Sequence, residues 1–205
     1  MMARRVLTAE DIEAEPAGGE VIVPRTAVIT DQARELARER GVRIRVEESV
    51  EAPGSSPRRP VVVASDHAGY DLKEFLKKFL LEAGYEVRDL GTDSTAPVDY
   101  PDFAGAAAQA VASGAAWRGI IVDAAGIGSA IAANKVAGVR AASCYDATTA
   151  RNSREHNDAN ILTLGSRLLT PEAAREVLRV WLETEFAGGR HQRRIDKIVA
   201  LERRS

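Results

Sequence analysis

Apolar residues follow two alternating rhythms over most of this chain. Residues 61–64, Val-Val-Val-Ala, form a continuous apolar run, as expected of a parallel strand covered on both faces. Next, Leu72, Phe75, Leu76, Phe79 and Leu80 recur at helical spacing, with Gly84 as a stop. The same exchange then repeats. Strands are predicted at 86–89, 119–122, 139–143 and 161–164. Helices are predicted at about 103–112, from the following glycine turn through Ala133, at 147–154, and from Pro171 to Phe186, where proline suits a first turn. Five strands separated by helices predict a doubly wound parallel α/β sheet. In that architecture ligands collect at the carboxyl ends of the strands.

A different texture precedes this body. Residues 50–60 hold three prolines, a glycine and two serines in eleven positions, which disfavours helix and central strand and marks a linker. It separates a small α/β extension, residues 1–49, from the body at 61–205. In the extension, Thr8 is a cap before a short helix, 21–23 is a strand, and 31–40 is a helix stopped by Gly41. Residues 42–46 alternate as a second strand. A unit this small is marginal alone, so docking on the body or on another protein is expected.

Composition removes several classes of function. At 205 residues, 45% hydrophobic and 28% charged, the chain reads as globular. A net charge of −2 offers no field for a nucleic-acid partner, and no apolar run is long enough to span a membrane. The N-terminus turns acidic where a secretory signal would be apolar, and Cys144 is the sole cysteine. A cytoplasmic protein without disulfides is expected.

Polar clusters stand where the strands end. The first body strand runs into Ser65-Asp66-His67-Ala68-Gly69-Tyr70, placed for ligand contact but equally readable as a helix cap with an incidental histidine. The third runs into Asp123-Ala124-Ala125-Gly126-Ile127-Gly128-Ser129, whose small residues let backbone N–H groups approach an anion. Ile131 replaces the last glycine of a dinucleotide fingerprint. Read locally, Asp123 is a turn or cap carboxylate. The polar run 153–160 contains His156, a candidate acid or base near neutral pH. Finally, Arg190 and Arg194 fall one helical turn apart and together suit a phosphate, although a merely basic terminus would look similar.

Taken in order, SDHAGYDLK, GTDS…VDYPDFA, GIGSAIAANKVAGVRAA, SREHNDANILTLGSR and FAGGRHQRRI resemble the family of type B ribose-5-phosphate and galactose-6-phosphate isomerases, over about residues 60–198. The resemblance implies a Rossmann-like sheet, a homodimer or tetramer with a shared active site, and no metal or organic cofactor. It implies ring opening of a phosphosugar, followed by proton transfer between C1 and C2 through an enediolate. By motif, His67, Arg167, Arg190 and Arg194 would hold the phosphate, and Asp66 and Tyr100 would line the sugar site. His156 would assist ring opening beside Asn157. Backbone N–H groups from Ala124, Ala125 and Gly126 to Gly128 would stabilise the enediolate oxygen.

One departure matters. Many members carry Cys-Gly-Thr-Gly where this chain has Asp123-Ala124-Ala125-Gly126, and that cysteine is the proton-abstracting base. A second group has a glutamate base at the position of Ser129. Asp123 is therefore the expected base, and the alternative is a noncatalytic phosphosugar-binding or scaffold protein. The extension, through VIVPRTAVITDQARELARERGVRIRV, resembles a module of bacterial microcompartment proteins, which implies recruitment to a shell or to enzyme partners; an oligomerisation or packing appendage is the alternative.

Overall fold

The computed structural model describes residues 6–24, 27–47 and 60–202, and the chain divides into two units, Met1–Pro57 and Arg58–Ser205. Of the linker expected at 50–60, only Pro60 lies within the described residues.

The N-terminal unit contains β1 (Val6–Leu7), α1 (Ala9–Glu13), β2 (Glu20–Pro24), β3 (Val28–Ile29), α2 (Asp31–Arg40) and β4 (Arg43–Glu47). Its strands form two parallel pairs, β1 with β3 and β2 with β4. The Asp11 carboxylate accepts the backbone N–H and the hydroxyl of Thr8, fixing the start of α1. Thr30 accepts the Ala33 N–H at 3.2 Å and caps α2. Leu7, Ile12, Val21, Val23, Ala33 and Val42 make a core of this unit's own. The short pair β1–β3 escapes the sequence pattern, since two-residue strands carry no period.

The C-terminal unit is built on five parallel strands. These are β5 (Val61–Ser65), β6 (Val87–Asp89), β7 (Arg118–Asp123), β8 (Ala141–Ser143) and β9 (Ile161–Gly165), in the order β6-β5-β7-β9-β8. The helices are α3 (Tyr70–Glu82), α4 (Tyr100–Ala112), α5 (Ile127–Ala133), α6 (Ala147–Asn157), α7 (Pro171–Glu183) and α8 (Gln192–Glu202), with a 3-10 turn at Gly189–His191. Alternate strand residues serve opposite faces. Val61, Val63, Ile120, Val122, Leu162 and Leu164 pack under α3, α6 and α7. Val62, Ala64, Ile121 and Ile161 pack under α4 and α5. Each fully buried Leu or Ile contributes about 1.5–3 kcal/mol, so two continuous apolar layers fix the sheet.

Several boundaries differ from the sequence reading. Helix α4 starts at Tyr100 rather than near 103, because Pro101 fits its first turn. Helix α7 ends at Glu183, where Thr184 turns extended while its hydroxyl bonds the Val180 carbonyl at 2.6 Å. The polar run after 154 continues α6 to Asn157 and stops at Asp158, whose φ of 44° is left-handed. Asp158 tolerates that conformation, and it receives Arg154 at 2.7 Å and Arg140 at 3.0 Å. Buried Arg118 holds the end of α7, donating to the Trp181 and Leu182 carbonyls at 3.1 and 2.9 Å beside the Trp117 ring. Burial, then the neighbouring Arg154 charge, pushes its pKa down to about 10. Among the described residues no helix is long and apolar enough to cross a membrane.

Candidate active site

The sheet order reverses direction between β5 and β7, and the crevice beyond their carboxyl ends is the expected ligand position. Asp66 and His67 leave β5 there. Asp66 is buried, and its Oδ1 accepts the Gly69 N–H at 2.9 Å, so it shapes the turn into α3. The cap reading and the ligand-facing reading thus share one residue. His67 Nδ1 lies 3.1 Å from the Val98 carbonyl and 3.2 Å from the Val98 nitrogen, which ties this turn to the segment entering α4.

Tyr100 opens α4 and lays its ring on Gly128. A Cβ at Gly128 would stand 2.7 Å from the ring, so glycine is needed there for contact. Arg167, after β9, is exposed, while its N–H bonds the Ala124 carbonyl at 3.1 Å. Ser166 joins three strand ends: its N–H donates to the Asp123 carbonyl at 2.8 Å and its hydroxyl to the Ala68 carbonyl at 2.8 Å. Asp66, His67, Tyr100, the 123–128 turn and Arg167 therefore form one rim. Sequence reasoning gave Ser166 no role, although it lies inside the quoted run ending LGSR.

At the centre of that rim Asp123 is saturated. Oδ1 accepts the N–H groups of Ala125, at 2.7 Å, and of Gly126. Oδ2 accepts the N–H of Ser129 at 2.9 Å and its hydroxyl at 2.5 Å. A carboxylate has about four lone-pair directions, and each has a donor here. This is the turn carboxylate of the local reading, and it alters one expectation. The Ala125 and Gly126 N–H groups face Asp123 instead of a substrate oxygen, while those of Ile127 and Gly128 are not among the four donors. Gly126 sits at φ 77°, the left-handed geometry that folds the turn back on the carboxylate. Ser129, passed over as a lost glutamate, is the carboxylate's principal partner. No local pattern announces a contact six residues away.

His156, Asn157, Arg190 and Arg194 lie elsewhere. Helix α6 runs from the carboxyl edge of β8 back to the start of β9, so its last turn stands at the amino edge of the sheet. Arg140, just before β8, confirms the placement: its Nε donates to the Asn157 carbonyl at 3.0 Å, and its carbonyl accepts the Asn160 N–H at 3.0 Å. The Ala187 N–H bonds the Glu155 carbonyl at 3.0 Å, bringing the 188–194 segment to the same end. There His156 and His191 stack with centroids 4.3 Å apart and planes 11° apart. Burial lowers the His191 pKa, and His156, Arg190 and Arg194 lower it further against the opposing charge of Glu155. Arg190 and Arg194 are exposed, one turn apart along the 3-10 turn and α8. Among the described residues no hydrogen bond, ion pair or ring contact joins this group to the Asp123 rim. The expected site residues therefore fall into two groups at opposite sheet edges, with basic side chains in each.

Comparison with known proteins supplies the context for both halves. Residues 61–198 match the model of the Ribose/Galactose Isomerase family. Ribose-5-phosphate isomerase B of Escherichia coli is 42% identical over 146 residues, spanning 71% of this chain and 98% of that protein. D-erythrulose-4-phosphate isomerase of Pectobacterium atrosepticum is 39% identical over 144 residues, 69% of this chain and 94% of its own. The solved structure of Clostridium thermocellum ribose-5-phosphate isomerase B has a TM-score of 0.70 and 49% identity, covering 71% of this chain and 98% of that one. With a matched segment that runs from β5 into α8 and takes in both groups of candidate residues, the chain belongs to the ribose/galactose isomerase family.

Proposed function

We propose that the C-terminal unit interconverts an aldose phosphate and its ketose through an enediolate. Two copies would meet so that the Asp123 rim of one faces the His156–Arg190 edge of the other. The single observation that carries this reading is the placement of the candidate residues at opposite edges of the sheet, with basic side chains at each, His67 and Arg167 at one and Arg190 and Arg194 at the other. A pentose phosphate is the first substrate to test and a tetrose phosphate the second, because relatives covering the same two thirds of the chain are named for each.

In this reading His156 protonates the ring oxygen and the open-chain sugar settles over the 123–128 turn. A base then removes the C2 proton of the aldose, the electron pair passes into the enediolate, and the proton returns at C1 of the ketose. Ile127 and Gly128 N–H groups stabilise the developing oxyanion at the start of α5. Asp123 is the ionisable group at the position of the family base. Rotation of the Ser129 hydroxyl frees one Oδ2 lone pair for the proton, while three backbone donors keep the carboxylate in place.

The saturation of Asp123 favours a second reading, a phosphosugar-binding protein whose Asp123 only builds the turn. Incubation with ribose 5-phosphate in heavy water separates the two. Deuterium at C2 of the aldose or C1 of the ketose supports the isomerase, whereas binding without exchange supports the binder. The N-terminal unit, with a core of its own, is assigned to recruitment, to a microcompartment shell or to enzyme partners. Co-sedimentation with shell proteins should vanish on deletion of residues 1–55, and unchanged co-sedimentation sinks that assignment.

A further inference from the structure

His191 has no assigned role, yet it touches both working groups of the amino-edge half-site. Its ring lies flat on His156, 4.3 Å away, and its Nε2 accepts the Arg190 Nε–H at 3.4 Å. The ring is buried, unlike the exposed Arg190 and Arg194 beside it. Two features deliver it there. The Ala187 N–H anchors the chain to the Glu155 carbonyl, and Gly188, at φ 62° and ψ −142°, makes a reversal that side-chain-bearing residues avoid.

We infer that His191 is a positioning residue, holding the His156 imidazole by stacking and the Arg190 guanidinium by hydrogen bonding, so that ring opening and phosphate binding share one support. The inference rests on the roles proposed above for His156 and Arg190. The His156 environment fits it. Asn152 Nδ2 lies 2.9 Å from His156 Nδ1. This pairing engages the Nδ1 side of the ring and leaves Nε2 on the opposite side. The stack and this contact together hold the His156 ring in one orientation, with Nε2 pointed away from Asn152. His191 in turn must accept from Arg190, so it works as the neutral ring. The groups facing it are His156 and Glu155 from α6 and Arg190 and Arg194 from its own segment, and three of these four oppose its protonation.

The test compares His191→Ala, which removes stack and acceptor, with His191→Phe, which keeps an aromatic face and loses the acceptor. The chain has only three histidines, so the ring resonances of His67, His156 and His191 are separable by NMR in the free protein. In H191A the His156 signal should lose its ring-current displacement, and in H191F it should keep it. With ribose 5-phosphate, H191F should raise KM about tenfold with kcat nearly unchanged, and H191A should also lower kcat about tenfold. A purely structural role predicts a lower Tm with both kinetic constants intact in the folded variants. That result, or an unmoved His156 resonance in H191A, overturns the inference. A wild-type protein that binds ribose 5-phosphate without turnover sinks the isomerase reading alone. The Kd of ribose 5-phosphate then replaces KM, and a Kd unchanged in H191F counts against His191.

Discussion

The Ser129 hydroxyl donates to Asp123 Oδ2 at 2.5 Å, and the Ser129 backbone N–H reaches the same oxygen at 2.9 Å. These are the two positions at which members of the family carry their alternative bases, and in this chain the residues there bond to each other. Asp123 consequently serves the fold first, closing the turn between β7 and α5. Chemistry at Asp123 requires one of its four donors to let go.

Substitution separates the structural and chemical roles. Asp123→Asn keeps one acceptor oxygen and turns an NH2 group toward N–H donors, which should cost about 1–3 kcal/mol, read as a lower Tm. It should also abolish deuterium exchange while leaving ribose 5-phosphate affinity within about threefold, since no phosphate ligand is removed. Ser129→Ala leaves the carboxylate in place and frees a lone pair, so exchange should persist or quicken although Tm falls. Exchange lost in S129A and retained in D123N would reverse the assignment.

Glycines near the rim should fail in different ways. A Cβ at Gly69 would meet the Val122 carbonyl oxygen at 2.2 Å, and main chain cannot step aside. Gly69→Ala should therefore destabilise by about 3 kcal/mol or more, seen as a shifted denaturation midpoint. The three nearest atoms to a Cβ at Gly128 all belong to Tyr100, a part-exposed side chain that can swing away. Gly128→Ala should keep its Tm within a few degrees and raise KM, because a displaced Tyr100 then enters the space proposed for the sugar.

Acid sensitivity should trace to a charge cluster under α3. Buried Lys73 meets Asp89 at 2.7 Å and Glu74 at 2.8 Å, and Lys77 joins both carboxylates. The hydrogen bonds of Lys73 and Lys77 hold Glu74 below its usual pKa. For Asp89 burial pushes upward, but the same two lysines and the Gly91 N–H outweigh it. A carboxylate with a lowered folded pKa contributes stability above its unfolded value, about 4, and loses it as pH falls through the folded value. The Tm of the wild type should drop on acidification below that point, and Lys73→Met should drop less steeply. Parallel Tm–pH curves would contradict this origin.

The sequence showed the architecture wherever burial sets the pattern. The apolar run at 61–64 and the spacing of Leu72, Leu76 and Leu80 led to β5 and α3 because those side chains face the core along their length. Element ends were less legible. Helix α6 runs past Arg154 because Asp158 adopts a left-handed cap braced by Arg140 and Arg154, and Arg140 lies eighteen residues upstream. Candidate site residues can be named by motif, whereas the partners the fold gives them cannot. The contacts of Ser129, Ser166 and His191 arise from a tight turn, a strand-end bridge and the meeting of two chain segments. None of these leaves a periodic trace.

Deuterium incorporation during incubation with ribose 5-phosphate decides whether Asp123 acts as a base. Deuterium should appear at C1 of the ketose and C2 of the aldose, at a rate that Asp123→Asn eliminates and Ser129→Ala does not. Ribose 5-phosphate bound by the wild-type protein with no deuterium at either carbon would contradict it.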